Sequence, residues 1–332
     1  MMSPIIKYFL WILLLIIAPI IIYFFVGFSE KREDIKWGVN FSSKQTEFLG
    51  IDAKKTYLAL IEDLGFKNIK ISVHWDLIEK DFEKYDFSFL DWQIQKAKEN
   101  DVDLILAIGM RTPRWPECHV PKWAEELSKK DQQSSIVNLI EEIVFRYKNE
   151  ETIIAWQIEN EVFLNFGKCP WKDIDFFEKE IKTIKAIDKK RPVIVTDSGE
   201  LSFWIASSKI KGDILGVTTY RMIWEGNIKK YIPYVLPPIF YERRANLVKI
   251  IFDKEVIGTE LQAEPWCANS IMNSSLEEQA KTMNLEQFKK NVNFAKKTGI
   301  KEFYFWGGEW WYYMLTNYGD DKIWNEVKEM LN

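Results

Sequence analysis

From Trp37 onward, short apolar runs alternate with longer amphipathic stretches, and this alternation restricts the fold more than any other property of the chain. Residues 37–41, 68–75, 102–109, 152–158, 192–198, 213–220, 255–260 and 301–306 read as eight strands. Most are continuous in Val, Ile, Leu and Phe rather than alternating, which is the mark of strands covered on both faces. Helical patterns run over 56–64, 90–99, 135–148, 176–188, 241–252, 276–298 and 322–331. Eight strand–helix units at this spacing predict an α/β fold, a parallel (β/α)8 TIM barrel over residues 35–332, with no composition break to mark a second domain. After the sixth strand, residues 221–238 are rich in Tyr, Pro and Trp and read as a long inserted loop.

Residues 8–28 carry no charge, a length sufficient to cross a bilayer as a helix. A cleaved signal peptide has a shorter apolar core and a small-residue cleavage site, which Tyr23-Phe24-Phe25-Val26-Gly27-Phe28 does not supply. The expectation is a single N-terminal transmembrane helix, an uncleaved signal anchor, with residues 1–34 forming the membrane anchor and a short linker. Pro19 is compatible with it.

A formal net charge of −4 and the lack of a basic block exclude nucleic acid as a partner. The two histidines and three cysteines have no ligand spacing, so neither a metal nor a cofactor is expected. In a barrel, Cys118 and Cys169 fall in loops after neighbouring strands; a disulfide and a pair of reduced, buried thiols both fit, and Cys267 is left over. The 15 Trp among 332 residues exceed what a core needs, and flat rings suit a cleft that stacks on sugars.

Chemistry in such a barrel collects at the carboxyl ends of the strands. There lie Glu161 after the fourth strand and Glu260 closing the seventh, together with His74, Trp75, Arg111, Trp115, Asn160, Tyr220, Trp266 and Trp306. A carboxylate at the mouth of a buried strand is costly unless it is used or paired. Two of them facing across a cleft are the minimal equipment for cleaving a glycosidic bond.

The segments Trp156-Gln157-Ile158-Glu159-Asn160-Glu161, Gly258-Thr259-Glu260 and Phe305-Trp306, in that strand order, resemble the clan A glycoside hydrolases. The chain is most similar to the cellulase-like family 5, with β-galactosidase and β-xylosidase families as neighbours, and Tyr85-Asp86-Phe87-Ser88-Phe89-Leu90-Asp91 resembles a segment found there. The resemblance implies a retaining glycosidase acting on a β-linked oligo- or polysaccharide. It makes Glu161 the acid/base and Glu260 the nucleophile, with Asn160 on the sugar 2-hydroxyl, Tyr220 donating to Glu260 and Trp306 flooring the subsite.

Three departures stand out: Lys70 where the family has Arg, Thr218 where it has His, and the absence of the family's usual His of the third-strand loop, where Arg111 lies nearby. They keep open an alternative, a carbohydrate-binding pseudoenzyme on the same barrel; His74 either compensates or is a hydrogen-bonded barrel residue. Glu159 is expected to pair with a neighbouring Arg or Lys, while Glu264 and Glu309 compete for catalytic roles from loops past strands seven and eight. Trp75, Trp115, Trp171, Trp224, Trp266, Trp310 and Trp311 are candidate stacking platforms. A carbohydrate-cleaving domain is of use outside the cell, so a monomer with an extracytoplasmic barrel is expected, although Lys31, Arg32 and Lys36 after the span against Lys7 before it favour the opposite orientation.

Overall fold

A computed structural model of the protein describes Leu15 and residues 17–331. Eight parallel strands close into a barrel: β1 (Lys36–Phe41), β2 (Asn68–Ser72), β3 (Asp103–Ile108), β4 (Ile153–Ile158), β5 (Val193–Asp197), β6 (Ile214–Thr219), β9 (Glu255–Gln262) and β10 (Glu302–Trp306). The ring closes where β1 pairs with β10, Trp37 opposite Phe303. The strands β7 (Met222–Glu225) and β8 (Lys230–Pro233) form an antiparallel hairpin outside the barrel.

A closed ring of strands has two faces to bury, and it does so with two separate cores. Ile105, Ala155, Ile194, Ile257 and Tyr304 form a small cluster of their own, while the larger cluster takes side chains from both strands and helices. Because residues two apart share a strand face, the next side chains on the Ala155 and Ile194 faces are Gln157 and Thr196. An apolar layer is thus overlaid by a polar one toward the carboxyl ends of the strands, and that polar layer is the base of the candidate site.

The seventh barrel strand carries a bulge at the point where chemistry is expected. Val217 pairs with Gly258 but Thr218 pairs with Glu260, which leaves Thr259 as the extra residue. An extra residue re-aims the side chain that follows it. The strand then continues to Gln262, two residues past its predicted end.

Elsewhere the sequence pattern and the structure differ for local reasons. The helix predicted over 276–298 is two helices, Leu276–Gln279 and Leu285–Ala295, because the Asn284 side chain accepts from Gln287 N and starts the second one afresh. Residues 221–238, read as a loop, contain the hairpin, whose root is fixed by Gln262: its side chain accepts from Arg221 N and Met222 N and donates to Met222 O. The helix Gly308–Tyr318 escapes a periodicity search because it buries Trp310, Trp311, Tyr313 and Met314 and so lacks a polar face of normal width. Trp310 donates to Gln279 Oε1 and Trp311 to Ala263 O; both rings belong to the core and neither is a stacking platform.

Residues 8–14 and 16 of the predicted membrane span lie outside the described residues, and among those described no helix is long and apolar enough to cross a membrane. Residues 17–25 are helical, and Phe24 and Phe25 rest on Phe240 of the helix Pro238–Phe252 at centroid distances of 5.8 and 4.8 Å.

Close packing between neighbouring strands fixes Gly258. A Cβ placed there would lie 2.0 Å from Phe303 Cδ1, within the aromatic wall. Gly258→Ala is therefore expected to cost about 1–3 kcal/mol and to lower the melting temperature measured by calorimetry.

Candidate active site

Glu161 is positioned by an unusual turn. Glu159 and Glu161 have φ values of 52° and 42°, both left-handed, which is a strained arrangement for side-chain-bearing residues. The turn sends the two carboxylates to different places. Glu159 accepts from the backbone N–H groups of Met110 (2.7 Å) and Arg111 (2.8 Å), and it lies against Glu180. Its direct partners are these backbone amides and the Glu180 carboxyl rather than the basic side chain expected; the Arg111 side chain acts on it only through its charge. Glu161 instead accepts at Oε1 from Thr218 Oγ1 at 3.1 Å, while its N–H donates to Thr196 Oγ1 at 2.8 Å.

Glu260 emerges from the bulge into a basic setting. Tyr220 donates to Oε2 at 2.9 Å, and Lys70 Nζ lies 3.7 Å from Oε1. Lys70 also donates to Gln157 Oε1 at 3.1 Å, and Gln157 Nε2 donates to Asn160 Oδ1 at 3.3 Å. Asn160 Nδ2 in turn donates to Glu117 Oε2 at 3.1 Å, and Arg111 Nε stands 4.0 Å beyond. A single polar chain therefore joins Tyr220, Glu260, Lys70, Gln157, Asn160, Glu117 and Arg111.

Burial acts on all three carboxyls but not equally. It raises Glu161 well above the ordinary carboxylate value, and the nearby charges of Glu260 and Glu117 add to the rise. For Glu260, burial is opposed by the Lys70 charge and by the Tyr220 hydrogen bond, so the rise is restrained. Glu117 is lifted to about 7, chiefly by burial. Lys70 is lowered by burial, while the carboxylates around it, Glu260 first, hold its proton.

The remaining predicted residues divide between rim, support and core. Trp115 is exposed and meets Phe166 at 5.7 Å; Phe166 meets Trp266 at 6.3 Å, and Trp266 stands edge-on to Tyr220 at 5.2 Å. These four rings form a continuous aromatic wall ending at the tyrosine that touches Glu260. The Arg114 guanidinium covers the Trp306 ring at 3.8 Å and bonds Glu264 and Glu309, the latter at 3.0 Å, so both competing carboxylates are already paired. His74 is buried between Ser42 Oγ (2.9 Å) and Thr112 Oγ1 (2.8 Å), and its ring lies 4.1 Å from that of His119. Burial holds the His74 pKa well below the usual value, so it is a neutral structural imidazole and does not replace a missing base. Trp75 is fully buried with its indole donating to Glu79, which leaves no face for a sugar. Trp171 packs on Phe176, and Trp224 lies in the hairpin against Tyr231.

Two residues with large effects escaped the sequence reading. Glu117 and Arg114 sit in the loop after β3 with φ values of 75° and 111°, backbone states that no pattern of residue types announces. The loop is tied down by a disulfide between Cys118 and Cys169, with Cα atoms 5.1 Å apart, while Cys267 is free. Gln157 and Thr196 did leave a trace, as neutral polar residues inside otherwise apolar strands.

The family model for cellulase (glycosyl hydrolase family 5) matches residues 31–237. The chain belongs to glycosyl hydrolase family 5. The match takes in Glu161 and Tyr220 and stops short of Glu260. Among curated relatives, a β-galactosidase LacZ from Heyndrickxia coagulans is 22% identical over 42% of this chain, and a β-galactosidase BgaA from Clostridium cellulovorans is 23% identical over 44%. The aligned parts make up 23% and 25% of those proteins, so the chain matches about a quarter of each. Solved structures share the fold. The GH5_18 enzyme of Streptomyces cattleya, solved with GlcNAc, aligns over 83% of this chain and 71% of its own with TM-score 0.59 and 12% identity. Xylanase 10B of Thermotoga maritima aligns over 82% and 83% with TM-score 0.54 and 17% identity.

The Arg114 pairing has a measurable consequence. Arg114→Met leaves Glu264 and Glu309 buried without their cation, with only Gln45 and the Ser42 N–H still donating to them, which should cost about 3–5 kcal/mol at neutral pH. The deficit should shrink on acidification as Glu309, whose pKa burial raises, takes up a proton, which thermal unfolding at pH 7 and pH 5 will reveal.

Proposed function

We propose that the protein is a retaining β-glycoside hydrolase that cleaves a β-linked oligo- or polysaccharide by double displacement. The observation that carries this reading is the unequal treatment of two buried carboxyls: among the described residues Glu161 has no cation within bonding distance, whereas Glu260 has the Lys70 ammonium and the Tyr220 hydroxyl. Unequal environments assign the acid and base roles. Glu161, kept protonated, gives its proton to the leaving oxygen while the ionised Glu260 attacks the anomeric carbon, a geometry that needs the carboxyls about 5 Å apart. The glycosyl–enzyme ester removes the Glu260 charge, which lowers the Glu161 pKa and lets it take a proton from the incoming water. Lys70 then meets the leaving carboxylate as its charge returns.

The departures that opened a non-catalytic reading are filled positions in this scheme. Lys70 supplies charge beside Glu260, and Thr218 supplies a donor to Glu161. Asn160, placed by Gln157 and Glu117, is the group for the sugar 2-hydroxyl, and the wall from Trp115 to Trp266 receives further sugar units. Trp306, stiffened by Arg114, supports the reacting ring. Residues 1–34 act as a membrane anchor, on the strength of the uncharged stretch 8–28. The Cys118–Cys169 disulfide supports an extracytoplasmic barrel, since such bonds persist in oxidising compartments.

Incubation with activated 2-fluoro-β-glycosides of the gluco, manno, galacto and xylo series should label Glu260, as read by peptide mass spectrometry; labelling elsewhere, or none with any sugar, overturns its role. Glu161→Gln should slow a substrate with a poor leaving group at least about a hundredfold while nearly sparing the glycosylation step of a dinitrophenyl glycoside, since only the former needs an acid. Glu117 adds negative charge beside Glu161, so removing it lowers the Glu161 pKa. Glu117→Gln should thus move the alkaline limb of the kcat/KM profile to lower pH, and an unmoved limb would refute the coupling.

A further inference from the structure

The loops around the mouth carry large apolar side chains that the site does not use. In the loop after β5 and the short helix that follows it, Leu201, Phe203 and Ile205 are 61, 80 and 55% exposed, and Val235, just before the helix Pro238–Phe252, is 82% exposed. Residues 201–208 and 231–241 contain no charged side chain. Isolated exposed apolar residues are ordinary, but a cluster without charges marks a contact surface.

This cluster is tied to the apolar N-terminal segment. Arg244 donates to Ser202 O (2.7 Å) and Gly199 O (2.5 Å), fastening the first loop to the helix that bears Phe240. Phe24 and Phe25 rest on Phe240, Arg243 lies over Tyr23 at 4.8 Å, and Arg243 Nη1 donates to Ile22 O at 3.3 Å. Next along the helix, Tyr241 shares the Glu200 carboxylate with the backbone N–H of Tyr220, the residue that bonds Glu260. The apolar segment is therefore linked to the loops at the mouth end through Phe240 and Tyr241, with Glu200 and Tyr220 standing between Tyr241 and the candidate nucleophile. A segment docked at the amino ends of the strands would have pointed the mouth away from whatever that segment enters.

We propose that the mouth of the barrel is seated on a lipid bilayer, with Leu201, Phe203, Ile205 and Val235 entering the interface beside the docked N-terminal segment, so that its substrate is a glycoside borne on a membrane lipid. The substrate part of this inference rests on the hydrolase reading; the seating part does not. Burial of apolar side chains in the headgroup and acyl boundary supplies the attraction. Restricting the cleft to that plane raises the local concentration of lipid-borne sugars over soluble ones.

The full chain carrying Cys267→Ser, with a single cysteine at Phe203, Val235 or, as control, Phe145 on the helix Lys129–Tyr147, is labelled with an environment-sensitive fluorophore without reductant. It is then inserted into phosphatidylcholine vesicles with or without doxyl-labelled lipid. Quenching at positions 203 and 235 should exceed that at 145 by about fivefold or more, as expected for side chains at the boundary; quenching no greater than at 145 overturns the seat. In a second arm, Phe203→Asp/Val235→Asp should lower turnover of alkyl-chain glycosides in vesicles about tenfold, leaving soluble nitrophenyl glycosides of the same sugars unchanged. Equal effects on both overturn the lipid-borne substrate. If wild-type protein cleaves neither set, the hydrolase reading and the substrate fail together, while the quenching result still decides the seat.

Discussion

The ion pair between Lys70 and Glu260 is the interaction on which the rest of the site depends. Both groups are buried at the top of the barrel, where an isolated charge is strongly disfavoured. Each is tolerable because the other is there, and each is bonded further, Glu260 by Tyr220 and Lys70 by Gln157. Gln157 extends the arrangement to Asn160, and Asn160 to Glu117, so the positions of these site residues follow from how one ammonium is satisfied. Lysine in place of arginine gives a point charge without a two-pronged donor. The vacant directions around Glu260 are correspondingly taken by tyrosine alone, and its Oε1 has no hydrogen bond apart from the ammonium's longer approach.

The support for that pair is of two kinds. Below it, the apolar cluster of Ile105, Ala155, Ile194, Ile257 and Tyr304 keeps water out of the barrel. Beside it, Arg114 neutralises Glu264 and Glu309 and stacks on Trp306, so neither carboxylate is left as an unpaired charge near the pair. A third buried carboxyl, Glu117, lies near these groups, and its charge adds to the rise of the Glu161 pKa.

The barrel was legible because its strands are apolar runs buried on both faces, a pattern that needs no tertiary information. Glu161, Glu260 and Tyr220 were legible for the related reason that polar groups closing such runs must be used or paired. What could not be read depended on backbone states or on contacts far apart in sequence. The left-handed turns at Glu159 and Glu161 send neighbouring carboxylates apart, whereas a regular strand would have placed them on one face. The bulge at Thr259 likewise has no residue signature. Aromatic residues misled in the other direction: Trp75, Trp310 and Trp311 follow strands in sequence yet turn into the core, because each indole N–H finds an acceptor there.

The disulfide between Cys118 and Cys169 lies beside Glu117 and thereby carries a biochemical memory of where the chain was made. Protein from a reducing cytosol reaches the same barrel without the covalent tie that holds the third carboxyl next to Asn160. Two preparations of identical sequence can then differ both in their acid–base behaviour and in stability, since the disulfide closes a loop across 51 positions. For this chain, the redox history of a sample belongs with buffer and pH among the variables that define the enzyme.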